Sequence, residues 1–356
     1  MKCFHPTSFV PLRGIKVKVK YHGGDEQESV EPQIRIEHTV KPLQLVPLLP
    51  HSGHESKRRG YNWGMKAKKE YHSSGGSPYL PISIIILLCF VTLAISPGAR
   101  MANEPSAWRN LEKGLDLGIF QAPKKSGFGD SLIHILRADT ASFGLRLLNA
   151  LSKDQGKRWS VKDWANRNGL VAAINASMYQ KDMMSSVSYM KIRKHTNNTW
   201  VSKDKTILAF DPDDKSLLPV RIIDRDCEDF DTLRKQYGTL VQSIRMVSCH
   251  GKNMWKQQKK MSSIAAIGLD QQDRILFIHV RSPYTTHDLI NMLLELPIGL
   301  KQAMYVEGGA DAQLYINTGN EEHAFIGSYS TGSREHDENN YSRPIPNVLG
   351  LVRLEK

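Results

Sequence analysis

Two carboxylates stand four residues apart in the run Tyr305-Val306-Glu307-Gly308-Gly309-Ala310-Asp311-Ala312-Gln313-Leu314-Tyr315. Apolar residues lead into the two glycines, so a strand is expected to end there. Gly308 and Gly309 allow close approach of the backbone to a ligand and offer N–H groups to an anion. Glu307 and Asp311 in one pocket could divide acid and base work, as cleavage of a glycosidic bond commonly requires. The same spacing also suits a plain glycine turn with two solvated carboxylates.

Three further segments place polar groups at the ends of apolar stretches. Ile174-Asn175-Ala176-Ser177-Met178-Tyr179 offers an amide, a hydroxyl and a phenol; the alternative is a polar turn in which Asn175 caps backbone groups. Gln242-Ser243-Ile244-Arg245 and His279-Val280-Arg281-Ser282-Pro283-Tyr284 each carry a guanidinium, which can bind phosphate in bidentate fashion or make an ordinary ion pair. His279 has apolar neighbours and reads equally well as a core histidine.

The elements that must position these groups are mostly short strands. Ser131–Ala138, Leu170–Asn175, Ser188–Arg193, Thr206–Phe210, Leu240–Arg245, Ile264–Leu269, Arg274–Val280, Ala303–Val306, Gln313–Ile316 and Val348–Val352 are strand candidates, with a hairpin loop at Asp270–Asp273. A helix is expected from the capping box Ser160-Val161-Lys162-Asp163, through Trp164, to Gly169. Thr285-Thr286-His287-Asp288 caps a second, whose apolar residues at 289, 290, 293, 294 and 296 suit packing on a sheet. The expected fold class is α+β: a strand-rich mixed sheet core with a few packed helices in a single globular domain.

Composition narrows the function classes. The chain of 356 residues is 40% hydrophobic and 24% charged, too apolar for wholesale disorder. Its net charge of +12 invites a nucleic-acid partner, but the excess is concentrated near the N-terminus. Residues 1–79 carry 13 Lys and Arg against 7 Asp and Glu, leaving 35 against 29 in the remainder. With no recognised nucleic-acid motif present, no nucleic-acid partner is expected. A Walker-type phosphate loop, an H-E-x-x-H helix and a G-x-S-x-G elbow are also absent from the sequence. No spacing demands a metal, and no cofactor is expected.

Residues Ile82–Ile95 form the one long apolar run, 14 residues between Pro81 and Ser96-Pro97-Gly98-Ala99. Preceded by the basic segment Met65–Lys69, it has the order of a secretory signal and is short for a membrane span. We therefore expect a disordered leader or an extension upstream of a true start at Met65 over residues 1–64. A signal peptide or signal anchor follows over 65–101, then a folded domain over 102–356. The expected location is periplasmic or extracellular, with membrane attachment only through an uncleaved anchor. Of the four cysteines, Cys3 and Cys89 precede the domain; Cys227 and Cys249 could pair in an oxidising compartment or remain separate buried thiols.

In order along the chain, Ile174–Tyr179, Gln242–Arg245, Ala266-Ile267-Gly268-Leu269-Asp270 and Glu307-Gly308-Gly309 resemble the motifs of the phosphodiester glycosidase family. The similarity is to N-acetylglucosamine-1-phosphodiester alpha-N-acetylglucosaminidase-like domains, most closely bacterial members, and spans roughly residues 105–356. Gly327-Ser328-Tyr329 and Pro344-Ile345-Pro346-Asn347-Val348 add to it. The resemblance implies hydrolysis between a sugar anomeric carbon and a phosphodiester, or of a related envelope glycan bond. Under it, Glu307 and Asp311 would be catalytic, with Glu307 as base or cation stabiliser. Asn175, Tyr179, Arg245, Arg281, Gly308 and Gly309 would bind substrate. Many family members carry Asp at the position of Glu307 and Ser at that of Asp311. A non-catalytic envelope module binding anionic glycan or sugar phosphate is the competing reading.

Overall fold

A computed structural model describes residues 107–355, which fall within one compact unit. The leader, the signal segment, Cys3 and Cys89 lie outside the described residues. Among the described residues no helix is long and apolar enough to cross a membrane.

The strand-rich α+β expectation holds. Among the described residues sixteen strands make two sheets, and the pairs between them are antiparallel. The larger sheet has at its centre β3 (Leu132–Ala138), β12 (Ile275–Tyr284), β11 (Ser262–Asp270), β13 (Leu300–Gly308) and β10 (Tyr237–Val247), in that order. At one edge, β1 (Trp108–Glu112) and β2 (Leu115–Gln121) extend it; at the other, β6 (Met190–Ile192), β8 (Thr206–Pro212) and β9 (Val220–Asp224) gather around β10. The second sheet runs β15 (Glu322–Ile326), β14 (Gln313–Asn317), β5 (Ala172–Asn175), β16 (Asn347–Arg353) and β4 (Phe143–Asn149).

Alternation of side chains along these strands gives each sheet two apolar faces, and each face finds a cover. Leu117, Leu136, Ile267, Phe277 and Met304 of the large sheet meet Leu147, Ile174, Leu314 and Leu349 of the small one in an inter-sheet core. Helix α3 (Thr286–Glu295) packs Leu289, Ile290 and Leu293 on the outer face of the large sheet, against Ile133, Ile264, Ile278 and Ala303. Helix α1 (Val161–Asn168) covers the small sheet with Val161, Trp164 and Ala165, packed on Ala173, Tyr315 and Val348.

The helix ends follow from local chemistry. Ser160 caps α1 by accepting from the Asp163 N–H, and Gly169 ends it in the left-handed region at φ 62°. Thr285 caps α3 by accepting from the Asp288 N–H. A short helix, α2 (Phe230–Leu233), opens on Asp229.

Candidate active site

The chain crosses from the large sheet to the small one at the glycine pair. Strand β13 ends at Gly308, a 3-10 turn covers Gly309–Asp311, and β14 begins at Gln313. Gly309 sits at φ 66°, a conformation that glycine adopts without penalty. Both carboxylates are therefore carried by the crossover itself.

A β-bulge decides where Glu307 points. Tyr305 pairs with Ala266, but Glu307 pairs with Ala265, so Val306 is an extra residue in β13. Ala266 belongs to the core under α3 and Ala265 to the core between the sheets. Paired residues share a face, so Tyr305 and Glu307 point to opposite faces despite being two apart. Glu307 is thereby turned inward, toward the small sheet and Asp311.

The two carboxyls meet different surroundings. Burial pushes Glu307 up to about 8, with the negative charge of Asp311 adding to the rise and the Gly308 N–H opposing it. That N–H donates to Glu307 Oε1 at 3.0 Å. Asp311 Oδ2 accepts from the Tyr179 hydroxyl at 2.8 Å, and Asp311 Oδ1 lies 3.4 Å from Arg343 Nη1. Burial, and then Asp311, push the Tyr179 phenol above its ordinary range. A protonated acid thus stands in the electrostatic field of a second carboxyl that is hydrogen-bonded to a phenol and paired with a guanidinium.

A model of the phosphodiester glycosidase family matches residues 168–352, more than half of the chain. The chain belongs to that family. Phosphodiester glycosidases act on sugar phosphodiesters, and the crossover carboxyls lie inside the matched segment. No curated protein matches the chain in sequence. Among solved structures, the zebrafish N-acetylglucosamine-1-phosphodiester alpha-N-acetylglucosaminidase catalytic domain, auto-inhibited by its pro-peptide, is similar at 14% identity and a TM-score of 0.50. That match covers 68% of this chain and 85% of the other. A hypothetical protein from Synechocystis is similar at 10% identity and a TM-score of 0.46, over 68% of this chain and 63% of the other.

Within this phosphodiester glycosidase domain the structure brings Glu307, Asp311 and Tyr179 together and gives the other expected site residues partners of their own. Asn175 is buried; its amide donates to the Asp311 carbonyl at 2.8 Å and its oxygen accepts from the Gln313 N–H at 2.7 Å. Both ends of the amide are engaged, and it sets the turn that presents Asp311. The Gly308 N–H is likewise taken by Glu307 and unavailable to an anion.

The two arginines expected to bind phosphate or to make ion pairs both have acidic partners. Arg245 pairs with the buried Asp224 at 2.6 Å and with Asp226 at 2.9 Å. Arg281 donates to the carbonyls of Ile326, Asn339 and Asp337 and pairs with the Asp337 carboxylate at 2.7 Å. Each guanidinium already has partners that replace water, and neither pairs with the crossover carboxyls. His279 takes its core reading. It is fully buried, contacts the Ala312 carbonyl through Nε2 at 3.2 Å, and burial drives its pKa down to about 3.

Arg343 faces Asp311 and carries no sequence signal because it lies in a segment without strand or helix periodicity. Its place is set by Gln313, a fully buried amide whose Nε2 donates to the Arg343 carbonyl at 2.9 Å. Gln313 Oε1 accepts from the Val161 N–H and the Ser342 hydroxyl. Residues Ser342 and Pro344, flanking Arg343, form one wall of a cleft of about 540 Å³ that also receives Lys157, Arg158, Lys162 and Tyr341. Arg158 is near enough to Tyr179 to oppose the rise of its pKa. No group in the cluster has the geometry of a metal ligand set among the described residues.

Proposed function

We propose that this protein is an exported hydrolase that cleaves between a sugar anomeric carbon and a phosphodiester, acting in the periplasm or outside the cell. Family membership supports the reaction class, and the basic–apolar–small order of residues 65–99 supports export. The observation that carries the mechanism is the asymmetry of the carboxyl pair. Glu307, raised to about 8, holds a proton at neutral pH and donates it to the bridging oxygen as that bond breaks. This differs from the role of base or cation stabiliser that the family resemblance implies for Glu307.

Asp311 supplies the negative charge that stabilises the oxocarbenium-like carbon or directs the attacking water. Tyr179 fixes its orientation through the 2.8 Å hydrogen bond. Arg343, paired with Asp311, and Arg158, in the cleft lined by Ser342 and Pro344, neutralise the phosphate as charge grows on the leaving group. In this arrangement the cleft beside Arg343 takes the part of the substrate beyond the phosphate.

The test is turnover of a sugar-1-phosphodiester by the purified protein, with Glu307→Gln and Asp311→Asn alongside. Loss of turnover in both variants, with retained substrate binding, is the expected result. Unchanged turnover in either variant would reject the assignment, and binding without turnover by the native protein would make it a glycan-binding module.

A further inference from the structure

The structure joins Cys227 and Cys249 as a disulfide, with Cα atoms 6.6 Å apart. A third group lies against that bond. His250 follows Cys249 directly, and its Nε2 stands 3.7 Å from Cys227 Sγ. The two sulfurs and one imidazole nitrogen all lie within 4.8 Å of one another. Thiolate and imidazole bound to one tetrahedral zinc, at ~2.3 Å and ~2.0 Å, are separated by about 3.5 Å. The Cys227–His250 spacing therefore suits a shared metal ion.

The frame that carries these groups is held independently of the sulfur–sulfur bond. Asp224, fully buried at the end of β9, accepts the Cys249 N–H on Oδ2 at 3.1 Å and the Cys227 N–H on its carbonyl at 2.9 Å. Its other carboxylate oxygen is anchored by Arg245 at 2.6 Å. The His250 turn is closed separately, by Gly251 N–H to the Ser248 carbonyl at 2.9 Å and His250 N–H to Ser248 Oγ at 3.3 Å. Breaking the disulfide would leave both thiols on turns tied to the same buried residue, one through its carboxylate and the other through its backbone carbonyl. Cys227 and His250 are exposed, so solvent and small solutes reach them.

We propose that Cys227, Cys249 and His250 form a redox-gated site for a thiophilic divalent cation of the zinc class. A dithiol reductant gives two electrons and two protons to the disulfide, becomes a disulfide itself, and leaves two thiols on the protein. The cation then binds as both thiols lose their protons to solvent, with the imidazole as third ligand and water in the open fourth position. Disulfide and metal are mutually exclusive states, because bonded sulfurs carry no thiolate charge. The site is separate from the carboxyl pair and does not depend on the hydrolase reading.

Cobalt(II) is the probe, added anaerobically to the full chain after reduction and removal of the reductant. Cys3→Ser and Cys89→Ser are present throughout, so that only the two candidate thiols remain. The expected result is one equivalent bound, with a thiolate-to-cobalt charge-transfer band and the visible bands of a tetrahedral ion, and displacement by zinc. Cys227→Ser should remove most of the charge-transfer intensity, and His250→Ala should weaken binding at least tenfold while keeping the band. Both changes are at exposed positions, and thermal unfolding checks that the fold survives. Absence of stoichiometric binding by the reduced chain, equal binding by the oxidised chain, or undiminished affinity in His250→Ala would each overturn the proposal.

Discussion

The Tyr179 hydroxyl donates to Asp311 Oδ2 at 2.8 Å, joining the loop after β5 to the crossover between the sheets across 132 residues of sequence. The bond is made by a phenol whose pKa is held up by burial and by Asp311 itself, so the proton stays on the oxygen. Tyr179→Phe keeps the ring and removes only the donor. A hydrogen bond to a charged acceptor contributes about 1.5–3 kcal/mol. The expected outcome is a fall of roughly 10- to 100-fold in kcat with KM little changed, together with a lower unfolding midpoint as that bond is lost. Steady-state kinetics on a sugar-1-phosphodiester, with a thermal melt, checks it.

Glu307 must be protonated to act as the acid, so activity should fall as pH rises through about 8. Glu307→Gln should lower kcat by roughly 10²–10⁴-fold and abolish that alkaline limb. The same proton enters stability. Its folded pKa lies above the value of an unfolded glutamate, ~4.3, so the folded state binds more protons across that window. The contribution of Glu307 is complete below the lower value and is lost as pH rises through the upper one. Denaturant midpoints at pH 5 and pH 9 should therefore differ more in the native protein than in Glu307→Gln.

Much of this is legible in the sequence alone. Ser160 and Asp163 announce α1, Gly169 its end, and Thr285 the start of α3, because capping is chemistry within four residues. The apolar runs feeding Asn175 and Glu307 mark two strands that do reach the site. What stayed hidden depends on long-range pairing. Nothing within Tyr305–Glu307 reveals that Val306 is an extra residue; only the register with Ala265 and Ala266 does. Arg343 has no periodic neighbours, and Gln313 places it through a bond across 30 residues. For Arg245 and Arg281 the sequence leaves phosphate binding and ion pairing open, because their partners Asp224 and Asp337 are distant from them along the chain.

Arg343 and Arg245 should separate cleanly on substitution. Arg343 is 43% exposed and pairs with a carboxylate at the site, so Arg343→Ala should leave the unfolding midpoint nearly unchanged. Its effect is expected on kcat/KM for the phosphodiester, by ~10-fold or more, as stabilisation of the leaving group is lost. Arg245→Ala instead strands the buried carboxylate of Asp224, a change that costs about 3 kcal/mol in comparable buried pairs. Chemical denaturation of the two variants, read beside their kinetics, should give opposite patterns. Equal effects on activity with no loss of stability would return Arg245 to the substrate.

Gly308 is required for the space it leaves, since a β-carbon there would run into the Tyr305 hydroxyl oxygen. The clash arises because the bulge at Val306 turns Tyr305 to the outer face while the chain bends toward Asp311. Gly308→Ala is expected to destabilise the protein by about 1–3 kcal/mol, the usual range for overpacking. It should also lower activity, because the Gly308 N–H that holds Glu307 would move with the backbone. Tyr305→Phe removes the obstructing oxygen. In a double-mutant cycle the pair should therefore be less destabilised than the sum of the single changes, by at least 0.5 kcal/mol. Strict additivity in denaturant unfolding would mean that Gly308 is needed for some other reason than its contact with Tyr305.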